Sequence, residues 1–161
     1  MKKTTFYIIY ATLSLVLISS CGFHMRGLTK TSLSSIDLEG KKLSIDNDLR
    51  KVLKLNQVEI KKEGAEFQIE FLNEQFEKKI LTLNSRGLVS EYELFYKIYF
   101  RVKNSSADKW SEENIIEIRR DYTYSVANSI GKEEEEKQLK RAMYDEAIQN
   151  LFRQIELLKN N

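Results

Sequence analysis

Residues 91–103, which read EYELFYKIYFRVK, alternate between apolar and polar side chains along most of their length. Successive side chains of a β-strand point to opposite faces, so this stretch predicts a strand with one buried face. The buried set contains Tyr92, Leu94, Tyr96, Ile98, Phe100 and Val102. Phe95 and Tyr99 fall on the outward face with the charged residues, where they are candidate ring contacts for a ligand or a partner protein.

The stretch before this strand predicts its antiparallel partner. Phe67, Ile69 and Phe71 alternate with polar residues, and the strand then continues to residue 83 through a bulge predicted near residues 73–77. Residues 84–87, NSRG, supply a turn, so the two strands predict a long hairpin.

A last strand follows the hairpin after a polar turn at residues 104–113. It is predicted at residues 115–124, and every second residue falls on the inward face: Ile116, Ile118, Arg120, Tyr122 and Tyr124. Arg120 therefore lies on the core side of the strand or at its rim. An ion pair at the sheet edge and a contact to a ligand are both open for its side chain.

A strand and a short helix precede the hairpin. Residues 33–38 predict the strand, which Gly40 ends. Leu49, Val52, Leu53 and Asn56 recur at helical spacing, and they predict a helix that ends near Leu55.

A long helix is predicted at the C-terminus after a loop at residues 126–131. Glu133–Glu136 opens this helix, where acidic residues compensate the helix dipole. Its apolar stripe contains Leu139, Met143, Ala147, Ile148, Leu151, Phe152, Ile155 and Leu158. The predicted fold is α+β, with two helices packed on one face of a mixed four-stranded sheet in the order β-α-β-β-β-α.

The N-terminus has the layout of a secretory signal. Lys2 and Lys3 precede an apolar run at residues 6–18, which is shorter than the roughly 20 residues that a membrane-spanning helix needs. Residues 18–21, ISSC, then place an aliphatic residue three positions before a cysteine with small residues between them. This pattern is a lipobox, and it predicts a lipoprotein signal.

Cys21 is the predicted lipidation site, because a thiolate is nucleophilic enough to take a diacylglyceryl group as a thioether. The alternative is an ordinary free thiol after an ordinary signal peptide. Two or three acyl chains anchor a protein stably, so the mature chain would be held on its membrane without a spanning helix. Gly22 stands where an aspartate commonly signals inner-membrane retention, which favours the outer membrane. The predicted organisation is a cleaved signal at 1–20, a lipidated tether at 21–32 and a folded domain at 33–161.

Charge and residue types exclude several function classes. Without residues 1–20 the chain has 24 basic and 24 acidic residues, which argues against a nucleic-acid-binding domain. His24 is the only histidine and lies beside Cys21, so neither a Ser-His-Asp nor a Cys-His catalytic site can be assembled. No glycine-rich phosphate loop and no metal-ligand cluster occurs. We therefore predict a non-enzymatic protein with no cofactor and no metal.

Short motifs along the mature chain resemble one known family. They are CGFHMRG at residues 21–27, LKLNQV at 53–58, GLVSEY at 87–92, Arg120 among aromatic residues, and MYD at 143–145. In this order and spacing they resemble LptE, the outer-membrane lipoprotein family of lipopolysaccharide assembly. The family fold, two helices on a four-stranded sheet, agrees with the fold predicted from the residues.

The resemblance implies a function and two partners. Proteins of this family plug the LptD β-barrel of the outer membrane, assist its assembly and bind lipopolysaccharide. The basic residues implicated in that binding lie at the hairpin turn and just before the C-terminal helix. Lys132 matches the second position; Ser85 occupies the first, and Arg86 follows it. Lipid A carries phosphates, which arginine and lysine bind well, and Arg120 is the third candidate contact.

Other interpretations of these residues and of the chain stay open at this point. Arg86 can be a solvated turn residue, and Lys132 can form an ion pair with Glu136 one helical turn further on. The chain itself can be an envelope lipoprotein that binds another barrel or peptidoglycan. A lipid-anchored hydrolase that uses two carboxylates is a third class.

Overall fold

The strand that decides the fold forms the second arm of the long hairpin, as predicted. The computed structural model describes residues 31–124 and 129–159, so the predicted signal peptide, Cys21 and most of the predicted tether lie outside the described residues. The elements in chain order are β1 (Ser35–Gly40), α1 (Asp46–Leu55), β2 (Glu59–Ile60), β3 (Phe67–Leu83), β4 (Val89–Asn104), β5 (Asn114–Thr123) and α2 (Ser129–Lys159).

The sheet has five strands in the order β2-β1-β3-β4-β5, so the predicted α+β class is confirmed but the predicted count of four is wrong. The extra strand, β2, has two residues and pairs in parallel with β1. It forms because the chain leaving α1 runs beside β1, where Glu59 N–H donates to the Ser34 carbonyl at 3.0 Å. Two residues carry no periodicity, so no sequence pattern could reveal this strand.

β1 covers only the first part of β3. The parallel pairing runs from Ile36 beside Phe67 to Gly40 beside Phe71 and stops there. Gly40 has φ +84, and a Cβ atom on it would lie 2.3 Å from the Phe71 carbonyl oxygen, so only glycine fits. Beyond this point β3 is paired on one side only, by β4.

β3 and β4 form an antiparallel hairpin along nearly their whole lengths. Their register shifts between Phe71 and Asn73, so the bulge lies at Leu72, just before the predicted range. Further shifts occur on either side of Thr82, close to the turn. The bulge shifts the inward-facing positions of β3 from odd to even residue numbers. Phe71 therefore faces the core before the bulge, and Phe76 packs against the core after it.

The predicted inward face of the sheet is confirmed, and both helices pack on it. α1 buries Leu49 and Leu53, and α2 buries Met143, Ala147, Ile148, Leu151, Phe152 and Ile155. Leu158, which was predicted in the same stripe, is exposed instead because the last turn of α2 passes the edge of the core. α2 also begins at Ser129, so the acidic run at residues 133–136 is not its first turn and the predicted loop ends earlier.

α1 ends in a Schellman motif that accounts for one of the family-like stretches, LKLNQV. The N–H of Val58 donates to the carbonyl of Leu53 at 2.9 Å, and the N–H of Gln57 donates to the carbonyl of Lys54 at 3.1 Å. Gln57 takes the left-handed conformation, φ +61, that this motif requires. Leu53 and Val58 are buried together in the core, so the motif fixes the exit of the helix.

α2 runs antiparallel to β3 across the inward face. Near its end Lys159 forms an ion pair with Glu66 at 2.7 Å, just before β3 begins. Near its beginning Glu136 forms an ion pair with Lys78 at 2.6 Å, well along β3 toward the turn. Thr31 donates a hydrogen bond to Glu156 at 2.6 Å, so the folded domain starts at the end of the molecule opposite the hairpin turn. In the described ranges no helix combines the length and apolar character needed to cross a bilayer.

Candidate functional site

The hairpin turn is held by one side chain, Asn84. Its carboxamide oxygen accepts hydrogen bonds from the N–H of Arg86 at 2.9 Å and the N–H of Leu88 at 3.1 Å. The Asn84 N–H donates to the Leu88 carbonyl at 2.8 Å, and Gly87 adopts φ +76 to close the loop. Arg86 is therefore exposed on a turn whose backbone is internally hydrogen-bonded. Sequence reasoning placed Asn84 in the turn but did not identify this organising role.

We define the tip as residues 80–90, ILTLNSRGLVS, which contain a single charged residue, Arg86. Its aliphatic side chains are unusually open: 58% of Ile80, 47% of Leu81, 54% of Leu83 and 48% of Leu88 is exposed. Exposed leucines occur singly on most proteins, so several within one hairpin end mark a binding surface. The tip thus combines one cation with an aliphatic patch.

Lys132 lies in the first turn of α2 and is already paired. Its ammonium group donates to the Glu135 carboxylate at 2.5 Å, and the side chain is largely covered. The predicted alternative pairing with Glu136 is wrong, because the Glu136 carboxylate turns toward the sheet. A ligand phosphate at Lys132 would meet a lysine with a neighbouring acid, which lowers the net positive charge there.

Glu136 lies in a polar cluster that joins α2 to β3, β4 and β5. One carboxylate oxygen accepts from Lys78 on β3 and from the hydroxyl of Tyr122 on β5, each at 2.6 Å. The Lys78 ammonium lies 4.1 Å from the ring centroid of Tyr92 on β4. Tyr92 and Tyr122 stack at 5.8 Å, and Tyr124 meets Tyr92 edge-on at 5.2 Å. Glu136 therefore contacts the sheet and is not part of the acidic first turn that was predicted.

The cluster shifts the protonation of its members. Burial opposes the charge on Glu136, but hydrogen bonds from Lys78 and Tyr122 outweigh it and hold the pKa of Glu136 below its ordinary 4.5. Burial opposes the charge on Lys78 too, and the Glu136 carboxylate outweighs it, so the pKa of Lys78 lies above 10.5. Burial and Glu136 together raise the pKa of Tyr122 to about 12. The Lys78–Glu136 pair is charged at neutral pH.

Arg120 points to the inward face, as predicted. Its guanidinium pairs with Glu146 of α2 and also donates to the Arg119 carbonyl at 2.6 Å. This is the ion pair at the sheet edge that the sequence left open. Arg120 lies in one row with Leu94 and Lys78 across the three strands, so it stands beside the polar cluster.

The three cationic candidates lie toward one end of the molecule. Lys132 precedes Glu136 by four residues, which is about 6 Å along the helix, and Glu136 touches Lys78. Five strand residues separate Lys78 from the turn that bears Arg86, which is about 17 Å. The structure brings Lys132 and Arg120 to the base of the projecting hairpin and Arg86 to its tip.

The outward face of the sheet is a surface of ion pairs. Lys97 meets Glu117 at 3.0 Å across β4 and β5, and Lys79 meets Glu77 at 2.9 Å on β3. Phe95 lies on this face as predicted, but only 9% of it is exposed, since Lys79 and Arg119 lie over its ring. Tyr99 is half-buried, with its hydroxyl 3.3 Å from Gln75.

Nothing in the described ranges resembles a metal site: no group of three or more histidine, cysteine, aspartate or glutamate side chains there could hold an ion. The polar cluster around Glu136 contains a carboxylate, an ammonium and phenols that satisfy one another. Its arrangement ties helix to sheet, and it offers no open carboxylate pair for hydrolysis.

Comparison with solved structures supports the fold. Lipoprotein B from Nitrosomonas europaea, solved by NMR, is similar with a TM-score of 0.72 and 25% identity over 86% of this chain and 93% of that one. Rare lipoprotein B from Shewanella oneidensis has a TM-score of 0.71 and 24% identity over 80% and 98%. A minor lipoprotein from Acinetobacter baumannii has a TM-score of 0.63 and 20% identity over 80% and 95%.

Comparison by sequence identifies the family. No match is found among curated proteins. The sequence model of the LptE family, described as lipopolysaccharide-assembly, matches residues 33–155. That range begins just before β1, ends in the last turns of α2 and includes the whole hairpin with its tip. The chain therefore belongs to the LptE family of lipopolysaccharide-assembly lipoproteins.

Proposed function

We propose that this lipoprotein occupies an LptD-type outer-membrane β-barrel, assists its assembly and binds lipopolysaccharide on the way to the outer leaflet. LptE proteins are non-enzymatic, so the role is one of binding and support. The observation that carries the lipopolysaccharide contact is Arg86, a solvent-facing guanidinium on a turn fixed by Asn84. An arginine fork in that position can take a lipid A phosphate with little ordering of the backbone, because the turn is already fixed.

Lys132 and Arg120 are the second and third proposed contacts. Each is held by an acid, Glu135 and Glu146 respectively, so a phosphate would replace a carboxylate at each. Such an exchange keeps the partly covered cation paired whether or not the ligand is bound. The phosphate carries more negative charge than the carboxylate that it replaces, so the pairing is stronger in the complex. Arg86 contributes most of the affinity in this scheme, since no exchange is required there.

The charged outward face of the sheet is consistent with a location inside a barrel. Its side chains are charged and mutually paired, and the lumen of an outer-membrane barrel is polar. Phe95 beneath Lys79 and Arg119 lends this face rigidity. We assign the outward face to the barrel wall and the tip to the lipid.

Lipid attachment at Cys21 completes the proposal and places the protein on the outer membrane. Two or three acyl chains, at about 0.8 kcal/mol per buried CH₂, hold it there without a spanning helix. Cys21→Ala should lose metabolic fatty-acid label and leave a precursor that is not processed normally. Label that persists on the Cys21→Ala protein would refute the assignment.

The test of the ligand is the double variant Arg86→Asp with Lys132→Asp. It should bind lipopolysaccharide at least tenfold more weakly, while its circular dichroism spectrum and its co-purification with the barrel stay as in the wild type. The wild-type affinity should also fall as salt rises, because exposed charges are screened beyond about 8 Å at physiological ionic strength. Unchanged binding removes these residues from the mechanism, and loss of the barrel instead assigns them to the protein interface.

The test of the partner is a pull-down through a C-terminal tag. The bound chain should be a large outer-membrane β-barrel of the LptD type. Recovery of a different barrel or of peptidoglycan would favour the alternative envelope lipoprotein.

A further inference from the structure

We infer that the aliphatic patch of the tip binds the acyl chains of the same lipopolysaccharide molecule whose phosphate meets Arg86. This inference rests on the proposed function and extends it from the head group to the hydrocarbon. The patch consists of Ile80, Leu81, Leu83 and Leu88, and together with Arg86 it forms an amphiphilic site on one hairpin end.

Charge is the first argument for a lipid occupant. Arg86 is the single charged residue of the tip, and the carboxylate of Glu91 at its border already accepts a hydrogen bond from the Thr82 hydroxyl at 2.7 Å. The outward face beside the tip instead pairs acids with bases. A surface that binds a folded protein usually has an apolar centre and a rim that carries both acidic and basic side chains. A single cation within an aliphatic surface instead matches a ligand with an anionic head and hydrocarbon tails.

Exposure and rigidity are the second argument. Each of the four side chains leaves about half of its surface in water, and none of them belongs to the buried core. Asn84 fixes the backbone of both Arg86 and Leu88, so their spacing is preset. A preset surface loses little conformational entropy when it binds a chain.

The third argument concerns the anchor. Thr31 and Ser32 are bound to Glu156 near the C-terminal end of α2, and the tip projects from the other end. Twenty-four residues of helix, about 36 Å, separate Glu156 from Lys132. The exposed leucines of the tip are therefore remote from the start of the domain, and contact with the anchor's own membrane is not their simplest role.

The test compares intact lipopolysaccharide with the same molecule after complete removal of its acyl chains. Binding is measured with the full mature lipoprotein, at one detergent concentration throughout. The variant is Leu83→Ser with Leu88→Ser, and the matched control is Leu157→Ser with Leu158→Ser, two exposed leucines at the opposite end. Thermal melting of all proteins confirms that the fold is retained.

The tip variant should lose about tenfold in affinity for the intact lipid and less than twofold for the deacylated one. The control should bind both ligands like the wild type, and Arg86→Asp should weaken both. Equal loss for the two ligands, no loss at all, or loss of the barrel complex with lipid binding intact would overturn the inference. If the wild type binds neither ligand, the proposed function fails as well, and that outcome is distinct because it does not depend on the leucines.

Discussion

The two ends of the β3–β4 hairpin have the same backbone and very different surroundings. At the end away from the turn, Phe67, Ile69 and Phe71 are buried between β1, β4 and the helices. At the tip, Ile80 and Leu83 have the same strand neighbours on one side and water on the other. The apolar alternation of β3 does not distinguish these ends. What differs is the presence of β1, which stops beside Phe71, and of the buried stripe of α2, which begins at Met143.

The comparison shows that an apolar residue in a regular strand can serve either packing or binding. The buried end supplies the free energy that holds the hairpin together, because a two-stranded ribbon alone is marginally stable. The tip uses that rigidity to present side chains whose burial is left for a ligand. Stability and binding should therefore separate cleanly along one strand.

The largest effect should come from a charge placed where the buried part of the hairpin reaches beyond β1. Ile98 pairs with Glu74, two rows past the bulge, and it is fully buried in the core that the sheet shares with both helices. Ile98→Asp should lower the free energy of unfolding by more than about 4 kcal/mol, since an unpaired carboxylate would enter the core. Chemical denaturation measures the loss.

Lys97→Asp is the matched control for this substitution. It faces outward and removes the partner of Glu117, and because an exposed ion pair contributes little, the loss should be far smaller than for Ile98→Asp. Equal shifts in the two midpoints would mean that the assigned faces of β4 are wrong.

A pair of identical truncations on β3 tests the comparison itself. Ile69→Ala should destabilise the protein by about 3 kcal/mol through a cavity in the core. Ile80→Ala should change the free energy of unfolding by less than about 0.5 kcal/mol. Both are measured by urea titration at neutral pH. A large loss at Ile80 would show that the tip is packed in solution, and it would remove the basis for a ligand surface there.

A smaller effect than those at Ile98 and Ile69 should arise at the border of the two ends, in the pair of Lys78 and Glu136. Glu136→Gln should cost about 1 kcal/mol at pH 7, since the side chain keeps its hydrogen bonds and loses its charge. Because the pKa of Glu136 is depressed in the fold, its contribution is present above pH 4.5 and disappears as pH falls through the lower, folded value. The difference between wild type and variant should follow that course.

Glu135→Gln is the neighbouring control, because the Glu135 carboxylate pairs with Lys132 on the same helix and is more exposed. It should have less effect on stability than Glu136→Gln at pH 7, and the difference between the two variants should shrink as pH falls. A Glu136→Gln deficit that stays constant from pH 7 down to pH 3 would show that the charge pair contributes nothing.

Much of the fold followed from local patterns. The alternation in β4 predicted its inward face residue by residue, the NSRG turn predicted the hairpin, and the spacing of Leu49 and Leu53 predicted α1. These predictions held because strand and helix periodicities express which side of an element is buried, and each needs only neighbours a few residues away. β2 was not predicted, because two residues are too few to show the alternation of a strand.

The candidate site was less predictable. Arg86 on a turn was visible, since turn residues are exposed for local reasons. The partner of Glu136 could not be predicted, because Lys78 lies 58 residues away and no local pattern in either segment indicates that the two meet. Phe95 was correctly placed outward, yet the side chains that cover it come from β3 and β5.

By itself, the sequence determined the elements, the inward face of the hairpin and the presence of one cation in an apolar tip. Only the tertiary structure decided which apolar residues are buried and which remain open, and that the base of the hairpin carries Lys132 and Arg120. The physical reason is that burial depends on what packs against a residue. β1 ends at Gly40, where a φ of +84 turns the chain out of the strand, and α2 contributes fully buried side chains only from Met143 onward.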